Sequence, residues 1–114
     1  MAQFPNYLLS NRKRLALSQE EVAFLLGTQC GASISRYEQF AREPSLPTAL
    51  AFEAIFQRPA SELFGGLYQN VQQEVAARAK SLLQKADRGK PNRRTALRQQ
   101  VLSEIINKSL NQTT

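Results

Sequence analysis

Histidine is absent from the chain, aspartate occurs once, at Asp87, and cysteine occurs once, at Cys30. Hydrolytic and metal-assisted mechanisms draw on those side chains for bases, nucleophiles and ligands. A Ser–His–Asp triad or a zinc site of the usual kind cannot be built here, so neither an enzyme nor a cofactor is expected. A lone cysteine cannot close an internal disulfide, which points to a reducing compartment. The opening residues, Met-Ala-Gln-Phe-Pro-Asn-Tyr, have neither the basic nor the apolar region of a secretory signal. Apolar runs stay far short of the ~20 residues that cross a bilayer. The expectation is a cytoplasmic protein with no membrane partner. Period-2 alternation is missing and β-branched residues are sparse, so strands are not expected.

What remains is basic and helical. The chain has 114 residues, room for one domain or for a small domain with an appendage. Fifteen Lys and Arg stand against nine Asp and Glu, a net charge of +6 that favours an anionic partner, nucleic acid before a membrane surface. The excess is not evenly spread. Residues 1–68 balance six cations with six carboxylates, whereas residues 69–114 carry nine cations and three carboxylates. Six of those nine, Lys85, Arg88, Lys90, Arg93, Arg94 and Arg98, gather in one stretch. That stretch suits either a nucleic-acid backbone or an acidic protein partner.

Apolar spacing and punctuation predict five short helices and two longer ones. The first covers about Asn6 to Leu15, with Tyr7, Leu8 and Leu15 on its apolar side. Ser18 followed three residues on by Glu21 has the spacing of a capping box and starts the second helix. That helix runs to Leu26 with Val22, Ala23, Leu25 and Leu26 inward, and Gly27 stops it. The third covers about Gly31 to Phe40, with Cys30 at its N-cap and Ile34 and Tyr37 on one buried face. Ser45 caps the fourth, Pro47 sits in its first turn, and Leu50, Ala51, Ala54 and Ile55 supply its core face. A short fifth helix, about Arg58 to Phe64, ends at Gly65-Gly66. Beyond it, Val71, Val75, Ala79, Leu82, Leu83 and Ala86 form one stripe of a sixth helix, about Tyr68 to Ala86. Asp87 to Asn92 breaks the pattern. Leu97, Val101, Leu102, Ile105 and Ile106 mark a seventh helix, and Asn107 to Thr114 is expected to fray.

From Leu9 to Phe64, about half the chain, the order of short motifs resembles the helix-turn-helix family of Cro and phage repressors, the XRE family. The matching pieces are Arg12, Leu17-Ser18-Gln19-Glu20-Glu21-Val22-Ala23, Leu26-Gly27, Ile34-Ser35-Arg36-Tyr37-Glu38, Pro44-Ser45-Leu46 and Ser61-Glu62-Leu63-Phe64. The resemblance implies an all-α protein. A five-helix lambda-repressor-like DNA-binding domain, residues 1–66, would be followed by two amphipathic helices, residues 67–114. It implies a transcriptional regulator that binds double-stranded DNA, a repressor acting as a homodimer near the nucleoid, with the third helix in the major groove. It also implies an ion pair between Arg12 and Glu38. One departure stands out. Ile34 is the seventh residue after Gly27, where the family places its buried residue sixth, so the turn is one residue longer.

The DNA-binding candidates are Gln19, Gln29, Gly31, Ala32, Ser33, Ser35, Arg36, Gln39 and Arg42. First-turn amides of the second helix, at Gln19, are placed to meet a phosphate. Gly31 and Ala32 stand where family members place base-reading side chains and offer little hydrogen bonding. Arg36 can pair with both acceptors of a guanine edge, or touch only a phosphate. Lys13, Arg14 and Arg42 are phosphate candidates or simply a wet face. The dimerisation candidates are Val71, Val75, Leu82, Leu83, Leu97, Val101, Leu102, Ile105 and Ile106. The alternative is a protein-binding module, antitoxin-like or an adaptor, that uses the helix-turn-helix as scaffold.

Overall fold

The computed structural model describes residues 4–28, 30–85 and 92–111, and among them there are seven α-helices and no strand. The helices are α1 (Leu8–Arg14), α2 (Gln19–Leu26), α3 (Ala32–Glu38), α4 (Leu46–Phe56), α5 (Ala60–Leu63), α6 (Gly65–Gln84) and α7 (Arg93–Asn111). No helix among the described residues is long and apolar enough to cross a membrane. The chain divides into two compact units, Met1–Tyr68 and Gln69–Thr114, with α6 running through the boundary.

In the first unit the core is built on aromatic rings. Leu8, Val22, Ala23, Ile34, Tyr37, Phe52, Phe56, Leu63 and Phe64 form one buried cluster. Phe52 is its centre: it meets Tyr37 edge-on at 5.6 Å, stacks with Phe56 at 5.9 Å and meets Phe64 edge-on at 6.0 Å between ring centroids. This corrects the expected core face of α4. Phe52 and Phe56, one turn apart, point inward, while Leu50 and Ala54 are exposed and Ala51 and Ile55 are only half-buried. Two large rings claim the space that four smaller side chains were expected to fill. Tyr7 and Leu15 are likewise exposed, leaving Leu8 as the one buried residue of α1, and Leu25 of α2 faces solvent.

The helix ends follow from local chemistry. Ser18 and Glu21 form the reciprocal capping box at the start of α2, and the Ser45 hydroxyl accepts from the Thr48 N–H at the start of α4, with Pro47 in its first turn. Gly27 closes α2 at φ +83°, with Gly27 N–H donating to Phe24 O and Thr28 N–H to Ala23 O. That pair of bonds is the Schellman arrangement, which needs a left-handed residue. Gly65-Gly66 does not end a helix as expected; α6 begins at Gly65, and Gly66 N–H donates to Pro5 O. Helix α7 extends to Asn111, past the expected fraying point, and the expected break at Asp87 to Asn92 lies outside the described residues except for Asn92.

In the second unit Ala76 and Ala79 are buried on α6, and Leu102 and Ser109 on α7. The two helices line a groove of about 290 Å³, with Gln73, Ala77 and Lys80 on one side and Ile106 and Leu110 on the other.

Candidate nucleic-acid interface

The local chemistry of α2 determines how α3 is held. Ser18 N–H donates to Glu21 Oε1 at 2.9 Å, and Glu21 N–H donates to Ser18 Oγ at 3.0 Å. Hydrogen bonds to the Glu21 carboxyl from the Ser18 backbone N–H and, secondarily, from the Ser18 side chain hold it below its ordinary pKa. The next two contacts reach across to α3. Glu20 Oε1 accepts from Gly31 N–H at 2.9 Å, and Gln19 Nε2 donates to Glu38 Oε1 at 2.9 Å. Adjacent residues at the start of α2 therefore grip the two ends of α3.

At the C-terminal end of α3, Glu38 is buried and fully partnered. Arg12 Nε donates to Glu38 Oε2 at 2.5 Å and Arg12 Nη2 to Glu38 Oε1 at 3.3 Å. A third donor of the same guanidinium, Nη1, bonds Leu17 O at 3.0 Å. The Glu38 hydrogen bond, aided by its charge, raises the Arg12 pKa against an opposing effect of burial. Arg12 thus ties α1, the corner before α2, and α3 together.

The N-terminal end of α3 is closed differently from expectation. The N-cap is Gly31, not Cys30, and no side chain of the cap residue itself makes a capping bond. The acceptor for the Gly31 amide comes instead from Glu20 on α2, and the helix starts at Ala32. Gly31 is buried, and a Cβ there would lie 2.7 Å from Glu20 Oε1 and 3.1 Å from Gln19 Cβ. Gly31 is therefore a packing residue and is removed from the DNA-facing candidates. The Gln19 side chain is also committed, to Glu38, so it braces α3; the phosphate reading at Gln19 concerns the first-turn backbone amides of α2, which this bond leaves as they were. Gln29 lies outside the described residues.

Ala32, Arg36 and Gln39 are exposed and fall at i, i+4 and i+7, one stripe along α3 and its C-cap. Ser33 and Ser35 are half-buried beside it, and the Ser33 hydroxyl donates back to Cys30 O at 3.1 Å. Among the described residues the Arg36 guanidinium makes no hydrogen bond or ion pair. Arg42, in the loop after α3, holds its guanidinium carbon 5.5 Å from the centroid of the Tyr37 ring. Arg14 bonds Asn11 Oδ1 and Phe56 O, each at 3.3 Å, and so serves the C-terminal end of α4; Lys13 is exposed.

Of the dimerisation candidates, Val71, Val75, Leu82, Leu97 and Val101 are exposed, while Leu83, Ile105 and Ile106 are half-buried. Leu102 is buried within its own chain and is withdrawn from that face. The braces Gln19 and Glu20 were not legible as such: each is an ordinary first-turn helix residue until the turn brings α3 against it. The chain matches no protein-family model, no curated protein and no solved structure.

Proposed function

We propose that the chain is a sequence-specific double-stranded DNA-binding regulator, not an enzyme, that acts as a homodimer and represses transcription. The observation that carries this reading is the way α3 is held. It is pinned at both ends by Gln19 and Glu20, locked through Glu38 to Arg12, and left with an exposed stripe that includes an uncommitted arginine. A rigid, surface-lying helix of this kind suits a major groove about 12 Å wide, as in lambda-repressor-like five-helix domains. The basic excess of residues 69–114 supplies the sequence-independent attraction to phosphates.

Enrichment of random duplexes on the purified full-length protein tests the reading. One preferred sequence is expected, bound about 10³-fold or more tighter than a scrambled duplex and weakening steeply with salt. Equal binding to all duplexes, or none, overturns it. A protein-binding module is the second reading, favoured by Phe24, which is 82% exposed on α2, beside the exposed Leu25. Such a module would bind its protein partner without a preferred duplex.

A further inference from the structure

We infer that α3 reads base pairs with its C-terminal half, through Arg36 and Gln39, and that Glu20 keeps its N-terminal end out of the readout. This rests on the DNA-binding reading above. Four observations at the N-terminal end converge. Gly31 is buried, so the N-cap of the helix presents no side chain and little backbone. Its amide is already donated to Glu20 Oε1, so one of the free donors of a helix start is consumed within the chain. The Ser33 hydroxyl donates its proton to Cys30 O and can only accept. Finally, Glu20 and the neighbouring Glu21 are both exposed, and their carboxylates repel a phosphate backbone at short range.

The opposite end has the reverse character. Arg36 and Gln39 are exposed three residues apart, hence on one side of the helix. Their groups are the ones that reach base edges, a fork for guanine O6 and N7 and an amide for adenine N6 and N7. Just beyond them, Arg42 is steadied against the Tyr37 ring and carries a positive charge to the phosphate flanking those bases. Gly31 packs against Gln19 and Glu20 at the start of α2, and the carboxylate that receives its amide takes the place a phosphate would need.

The test measures binding by the full chain to its selected duplex and to a scrambled one. Arg36→Ala and Gln39→Ala are each expected to lose about 5- to 150-fold on the selected duplex, to lose little on the scrambled one, and to relax preference at a single base pair. Ala32→Gly and Ser33→Ala are expected to leave the preferred sequence unchanged. Glu20→Gln keeps an oxygen to accept from Gly31 but removes the charge. It should keep the same preferred sequence and melting temperature and bind every duplex about 2- to 5-fold tighter. The inference is overturned if Ala32→Gly or Ser33→Ala relaxes a base pair, if Arg36→Ala and Gln39→Ala lose equally on both duplexes, or if Glu20→Gln weakens binding. A wild-type chain with no preferred duplex overturns the DNA-binding reading itself, and this inference with it.

Discussion

At the scale of single residues, Glu38 decides most. Its side chain is 5% exposed and that of Arg12 13%, so the pair is largely withdrawn from water. A buried ion pair is not in itself strongly stabilising, but breaking one leaves an uncompensated charge. Arg12→Ala would leave Glu38 with Gln19 alone, and the expected loss is about 2–4 kcal/mol, discounted from a deeper site because the arginine keeps some contact with solvent. Arg12→Ala combined with Glu38→Gln should recover part of that loss, since the stranded charge is gone. Urea titrations of the single and double variants check this; equal stability of Arg12→Ala and wild type would remove Arg12 from the frame. Glu21 gives a pH-dependent counterpart. Its folded pKa is depressed by the two Ser18 bonds, so its contribution is complete above the ordinary glutamate range, about pH 4.3. It is lost as pH falls through the lowered folded value. Glu21→Gln should therefore melt below wild type at pH 7, and the gap should narrow toward pH 3. A gap that is constant with pH would show that the charge of Glu21 is irrelevant.

At the scale of elements, three helices end on the same geometry with different residues. Besides α2, helix α1 closes with Ala16 N–H on Lys13 O and Leu17 N–H on Arg12 O, and α3 with Phe40 N–H on Tyr37 O and Ala41 N–H on Arg36 O. The left-handed residue is Gly27 at φ +83° in α2, but Ala16 at +58° in α1 and Phe40 at +63° in α3. This explains an uneven legibility. The end of α2 could be read from Gly27 and its start from Ser18 and Glu21, because those residues are specific to what they do. The ends of α1 and α3 could not, because alanine and phenylalanine do not announce a left-handed turn. The rings of Phe52 and Phe56 were missed for a related reason: α4 is apolar nearly all round, so spacing alone gives no preferred face. Expected stabilities follow. A Cβ at Gly27 would meet nothing within 4 Å, so Gly27→Ala should cost only the left-handed strain, about 1–2 kcal/mol. Ala16 is exposed, and Ala16→Gly should relieve the same strain and stabilise by about 0.5–1 kcal/mol after the added freedom of the unfolded chain is counted. Thermal melts of the two variants should move in opposite directions; a loss on Ala16→Gly would contradict the strain argument.

At the scale of the whole molecule, charge and apolar surface are separated along the chain. The first unit is electrically balanced, and the basic excess falls in residues 69–114. The same segment exposes Val71, Val75 and Leu82 on α6, positions within about 40° of one another at 100° per residue, and Leu97 and Val101 one turn apart on α7. The stripe on α6 was legible from spacing, but which part of it the chain would bury for itself was not. Ala76 and Ala79 take the inward positions and the larger valines are left outside. Small residues let helices approach closely, so burial inside the unit falls to alanine and the bulkier apolar groups remain for another surface. A second copy of the chain is the proposed occupant, because an isologous contact would cover both stripes at once and set two recognition helices at a fixed spacing. Val75→Glu with Leu97→Glu should then leave the helical content and melting of the chain nearly unchanged, since both side chains face solvent in the single copy. Sedimentation of the wild-type chain should give a dimer and of the double variant a monomer. On the selected duplex the variant should bind far more weakly and with a shallower salt dependence, because half of the phosphate contacts go with the lost copy. A wild-type chain that sediments as a monomer at concentrations well above its duplex dissociation constant would remove the dimer, and the apolar stripes would need a different partner.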